Sequence, residues 1–157
     1  MSAIELASKI IKADEESNRF KGRAYYCSEG YPTIGWGFKC GEKNAPLPDI
    51  SMTKSDGDKK LESLIAAHDK NLREHINTRH IYPAINEARQ AVLISMAYQL
   101  GFVGLLKFRK MWIAIERQDY DDAAIQIMDS LAAKQAKNRY ERNAEMMRTG
   151  KLLNYYG

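Results

Sequence analysis

The stretch "YYCSEGYPTIGWGFKCG", residues 25–41, places two cysteines, a threonine and four glycines around one aromatic run. Gly30 and Pro32 interrupt Tyr25, Tyr26, Tyr31, Thr33, Ile34, Trp36 and Phe38, residues with strand propensity, so the stretch predicts a small hairpin or three-stranded ribbon. Alone, a ribbon of that size is not stable. With so much glycine it is either a packing appendage or one wall of a site where a ligand approaches the backbone closely.

Outward from the ribbon, the chain reads as helical. Upstream, Ser2 and Glu5 form a capping box, and Ala3, Leu6, Ala7, Ile10 and Ile11 make one apolar stripe at helical spacing. That helix runs into Asp14, Glu15 and Glu16, three carboxylates at the negative end of its dipole, where cations are preferred. Such broken local rules concentrate at functional sites. Downstream, "GEKNAPLPDIS" (41–51) is a loop and Thr53 caps a helix running to about Thr78. Its narrow stripe (Leu61, Leu64, Ile65, Leu72, Ile76) leaves the other faces charged, as in a helix that bridges two lobes.

Beyond Pro83, residues 87–101 are apolar nearly all round, as a central core helix is; Ser95 and Gln99, four apart, share one face of it. Further helices are expected at about 103–117, 120–133 and 137–148, the last stopped by Gly150. The expected fold is α+β and mostly α-helical. It has a ribbon subdomain at about 14–52, a connecting helix at 53–80, and a helical lobe from 1–13 and 81–157.

The chain of 157 residues is one domain's length, with formal net charge +4 and a pI near 9.0, a mild preference for anionic partners. No apolar run reaches the roughly 18–20 residues that span a bilayer. The N-terminus lacks the basic-then-apolar pattern of a secretory signal, so a cytoplasmic start is expected. Two cysteines make no disulfide framework, although a Cys27–Cys40 bridge in an oxidising compartment stays open. His68, His75 and His80 have no companion ligands at metal-site spacing, so neither a metal nor an organic cofactor is expected.

Like charges and the helix dipole together disfavour ionisation of Glu15, which is how a carboxylic acid is kept protonated to serve as a general acid. The competing reading is three solvated surface acids paired with Arg19, Lys21 or Arg23.

"DE" followed by "CSEGYPTIGWG" resembles the phage-type lysozymes (glycoside hydrolase family 24, the phage endolysins, similar to T-even phage lysozyme). Their signature is a Glu, an Asp or Cys, five residues and a Thr, closed by Thr-Ile-Gly-x-Gly; Cys27 and Thr33 are separated by five residues. "AVLISMAYQLG", "YDDAAIQIMDS" and "NRYERNAEMMRTG" resemble the family's central, following and C-terminal helices, so the likeness covers essentially the whole chain.

The resemblance implies a two-lobed lysozyme-like fold. It also implies hydrolysis, with inversion, of the β-1,4 bond between N-acetylmuramic acid and N-acetylglucosamine in peptidoglycan. By position, Glu15 would be the general acid, Cys27 would take the Asp/Cys place and Thr33 would help hold the attacking water. Phe38, Tyr98, Gln99, Met111, Gln126 and Arg139 would contact substrate. The protein would be a monomer with no nucleic-acid partner and no stable membrane association. It would wait in the host cytoplasm and reach the wall through holin-dependent release.

The chain departs from the family pattern in three places. Eleven residues separate Glu15 from Cys27, more than the family's spacing. A bulge around Lys21–Arg23 would absorb the excess, and Glu16 is the alternative acid. Phe38 stands where many members carry His, and the loop from Lys39 to Met52 is short. The Cys27 thiol, with carboxylates nearby, is expected to titrate above its ordinary value and to be mostly S–H at neutral pH. Two further function classes are a lytic transglycosylase, whose muramyl 6-hydroxyl replaces water, and a non-catalytic wall- or DNA-binding module.

Overall fold

The computed structural model describes residues 1–15 and 19–157; the alternative acid, Glu16, lies outside the described residues. The chain folds as two compact units, Ser8–Leu64 on one hand and Met1–Ala7 with Ile65–Gly157 on the other. Their boundaries fall inside two helices rather than at the helix ends.

The smaller unit takes most of α1 (Ala3–Asp14), a three-stranded antiparallel sheet and the first half of α2 (Lys54–Glu74). Ser2 starts α1 as expected: its hydroxyl accepts from the Glu5 N–H and donates to the Glu5 carboxylate, each at 3.1 Å. The strands are β1 (Lys21–Tyr26), β2 (Pro32–Gly35) and β3 (Phe38–Lys39), in the order β1-β2-β3. Tyr25 pairs with Thr33 but Lys21 pairs with Gly35, so four steps along β1 match two along β2. The extra residues form a bulge where the sequence placed one.

That bulge is tied to the chain just before α2. The Met52 N–H donates to the Gly22 carbonyl at 2.8 Å, and Arg23 bridges Ser51. Thr53 caps α2 by accepting from the Asp56 N–H. The unit closes on Ile10, Ile11, Ile34, Trp36, Phe38 and Leu61, all buried.

The larger unit is helical. It contains α3 (Glu87–Leu100), α4 (Phe102–Leu106), α5 (Arg109–Glu116), α6 (Tyr120–Met128), α7 (Leu131–Gln135) and α8 (Lys137–Thr149). In α3, Ala88 and every residue from Gln90 to Ala97 are buried, as a helix apolar on all sides must be. It packs on α4 and α8, and α6 packs on α5 and α8. Asn86 caps α3 by accepting from the Arg89 N–H, and Gly150 ends α8 in the left-handed conformation.

Three helix expectations need correction. Helix α2 ends at Glu74, not near Thr78, because Thr78 folds back and donates its hydroxyl to the Leu72 carbonyl at 2.7 Å. Ile76 thus leaves the stripe and is exposed. The expected helix 103–117 breaks between Leu106 and Arg109, and 120–133 breaks at Asp129–Ser130. At the second break the Ser130 hydroxyl accepts from the Ala133 N–H and starts α7.

Candidate active site

Helix α1 delivers Glu15. Its N–H still donates to the Ile11 carbonyl at 2.8 Å, so the residue leaves the helix in a defined direction. Gly37 shows where the carboxylate goes: a Cβ added there would lie 2.5 Å from Glu15 Oε2 and 2.8 Å from Cδ. Gly37 also has φ +83°, a backbone conformation glycine adopts without penalty. The glycine-rich ribbon therefore lets the Glu15 carboxylate come close to its backbone.

Cys27 follows β1 at the start of the Cys27–Tyr31 turn, whose backbone closes through Cys27 N–H to Tyr31 C=O at 3.0 Å and Gly30 N–H to Cys27 C=O at 2.9 Å. The thiol is half-buried, and burial pushes its pKa up. The backbone N–H groups of Tyr31 and Glu29 and the Thr33 side chain, hydrogen-bonded to sulfur, outweigh that, and Glu29's charge opposes them weakly. The net shift is downward, which corrects the expectation of a raised thiol. Backbone dipoles, not carboxylates, dominate this sulfur.

Thr33, central in β2, is buried and donates its hydroxyl proton to the Tyr31 carbonyl at 2.8 Å. The hydroxyl also lies beside the Cys27 sulfur; with its one proton committed to Tyr31, its oxygen is left as an acceptor for a water proton. Cys27 and Cys40 are both free thiols. Cys27 flanks β2 on the β1 side and Cys40 on the β3 side, where the Cys40 N–H donates to Pro32. Two strand spacings of about 4.8 Å each exceed the Cα separation a disulfide tolerates, so a bridge would require leaving the sheet.

The six expected substrate contacts sort by burial. Phe38 is 5% exposed, its ring over Gly35 and capped by the Lys60 ammonium at 4.9 Å; Met111 is 0% exposed. Phe38 is packed inside its unit, and Met111, though buried, lines the cavity that Gln126 also lines. Gln99 is exposed and accepts from the Tyr140 hydroxyl at 2.6 Å, and Tyr98 is half-buried beside it. Gln126, half-buried, donates to Asp122 at 3.2 Å and lines a cavity of about 420 Å³ with Phe108, Ser130 and the cations Lys107, Arg109 and Lys110. Met111 backs that cavity's wall. Arg139 is half-buried in α8.

Sequence reasoning missed the groups that hold Trp36, the residue before Gly37. Trp36 Nε1–H donates to Asp58 Oδ1 at 2.8 Å, and Lys12 Nζ lies 3.1 Å from the same oxygen. Gly37 stood inside the quoted motif and could have been singled out. Nothing in the sequence marks Asp58. Among the described residues, no group of three or more His, Cys, Asp or Glu side chains is assembled as metal ligands would be.

The sequence model of the phage lysozyme family matches residues 15–144. Two slime-mould proteins, probable T4-type lysozymes 1 and 2 of Dictyostelium discoideum, are similar to the chain. The first is 26% identical over 93% of this chain and 95% of its own length; the second is 28% identical over 88% and 78%. The pre-baseplate central spike protein Gp5 of Enterobacteria phage T4 is 28% identical over 94% of this chain, which spans 28% of that protein's length.

Proposed function

The chain belongs to the phage lysozyme family, a family of glycoside hydrolases, and on that premise we propose that it is a muramidase. Its substrate would be the β-1,4 bond between N-acetylmuramic acid and N-acetylglucosamine in peptidoglycan. The observation that carries the reading is the Glu15 carboxylate set against Gly37 in the same unit as the Cys27–Thr33 pair. Glu15 donates its proton to the glycosidic oxygen as the bond to C1 breaks. Water attacks C1 from the opposite face and loses its proton to the Cys27 thiolate. This is the inverting scheme, with a thiolate in the second carboxylate's place.

Hydrolysis and transglycosylation both need a base, for a water proton in one and for the muramyl 6-hydroxyl proton in the other, so the products decide between them. The test is digestion of purified peptidoglycan, with products read by mass spectrometry and the first anomer by NMR. Reducing muramic ends released as the α-anomer are expected. A 1,6-anhydro end would make the protein a transglycosylase, a β-anomer would make Cys27 a nucleophile, and no cleavage would leave a binding module.

The proposed setting is lysis of a bacterial host from within. Expression alone should lyse cells poorly, with prompt lysis once the inner membrane is permeabilised. Lysis without membrane damage would contradict it.

A further inference from the structure

Glu15 follows the end of α1, and its carboxylate rests on Gly37. Several side-chain contacts next to Gly37 converge on Trp36 or Asp58. Lys12, one helical turn before Glu15, bridges Asp58 at 3.1 Å and lies 5.3 Å from the centre of the Trp36 ring. Trp36, directly before Gly37, donates its indole N–H to Asp58 at 2.8 Å. Phe20, beyond Glu15, meets Trp36 edge-on with centroids 5.4 Å apart and lies against Gly57, the residue before Asp58.

We propose that Asp58 and Trp36 are positioning residues whose hydrogen bond fixes the Gly37 backbone as the seat of the Glu15 carboxylate, with Lys12 tying the end of α1 to the same anchor. The inference rests on Glu15 being the general acid. Trp36 is 2% exposed and donates its indole N–H to Asp58, so removing Asp58 takes an acceptor away from a largely buried donor. Gly37 cannot move without moving Trp36, its covalent neighbour. Lys12 and Asp58 keep part of their side-chain surface in water, so the contribution is geometric more than Coulombic. Geometry is what a proton donor needs: misplacement by about 1 Å costs up to about 10²-fold in rate.

The test compares Asp58→Ala, Asp58→Asn, Trp36→Phe and the Asp58→Ala/Trp36→Phe double variant on soluble glycan strands, below every variant's unfolding temperature. Asp58→Ala should lower kcat about 10-fold or more with KM within about twofold, the mark of an interaction that serves the transition state. Asp58→Asn keeps an acceptor for the indole and should recover most of kcat. Trp36→Phe should match Asp58→Ala, and the double variant should be no worse than either single, because both break one link. Unchanged kcat in Asp58→Ala, a loss confined to KM, or additive losses in the double variant would overturn the inference.

Carboxyl-carbon NMR of Glu15 reads the same link without turnover. Its resonance should shift in Asp58→Ala and return in Asp58→Asn, and an unmoved resonance overturns the inference. A wild-type protein inactive on peptidoglycan would instead defeat the muramidase reading, leaving the NMR result to decide the positioning link.

Discussion

Cys27 is where residue chemistry and backbone geometry disagree in sign. From composition, neighbouring acids should hold the thiol up; in the folded turn, the amides of Tyr31 and Glu29 and the Thr33 side chain bring it down despite burial. Alkylation by iodoacetamide should therefore inflect below the ordinary thiol value of about 8.5. Glycan fragments should slow it. Cys27→Asp should stay active, whereas Cys27→Ala should lose about 10²-fold, the scale of a positioned base. Cys40→Ser should be nearly neutral in stability and rate, and a fully active Cys27→Ala would reduce Cys27 to packing. Gly37 makes a second prediction at this scale. Gly37→Ala puts a methyl 2.5 Å from the Glu15 carboxylate at φ +83°, so stability should fall by about 1–3 kcal/mol. Glu15 should be pushed from its seat and kcat should fall with it. A Gly37→Ala enzyme with wild-type kcat would separate that seat from catalysis.

At the scale of elements, what the sequence made legible was what periodicity and caps encode locally. Ser2, Thr53 and Gly150 mark real helix ends, and Ala91 to Ala97 form a core helix because no face of that segment could be left in water. The three-stranded ribbon and the β1 bulge could be read from turn residues and an awkward spacing. Less legible were ends set by tertiary bonds: Thr78 turning back to Leu72, and Ser130 opening a new helix inside an apolar run. Arg89 is the clearest hidden case. Its Nε–H donates to the Met147 carbonyl at 2.7 Å and Nη2 to the Arg148 carbonyl at 3.1 Å, while the guanidinium stacks 3.4 Å over Tyr120. A cation from α3 thus closes the C-terminus of α8, where orphan carbonyls and the dipole both call for one. Arg89→Met keeps the aliphatic stem and removes these bonds, so it should cost about 1.5–3 kcal/mol in denaturant unfolding, the worth of a charge-assisted hydrogen bond. A cost under about 0.5 kcal/mol would mean water caps α8 equally well.

For the whole molecule, the question is which protonation events the fold resists. His68, half-buried in α2, has a ring Nδ1 that is buried without a hydrogen-bond partner, and burial holds its pKa below the ordinary value of 6.5. The folded state therefore prefers the neutral ring. Above about pH 6.5 the ring is neutral in both states and its contribution to stability is complete. As pH falls through 6.5 toward the lower folded value, the unfolded chain takes up the proton first, and stability falls. Asp58 behaves the same way in a more acidic window, because the bonds from Trp36 and Lys12 outweigh its burial and hold its pKa below 3.8. Thermal unfolding followed between pH 7.5 and 3 should show Tm declining below about 6.5. His68→Leu, a good helix former that does not titrate, should flatten the decline between pH 6.5 and 5 and leave the Asp58-dependent loss near pH 4 and below intact. Parallel wild-type and His68→Leu curves would assign the upper acid transition to other groups, and a wild-type Tm that rises on acidification would reverse the sign argued for His68.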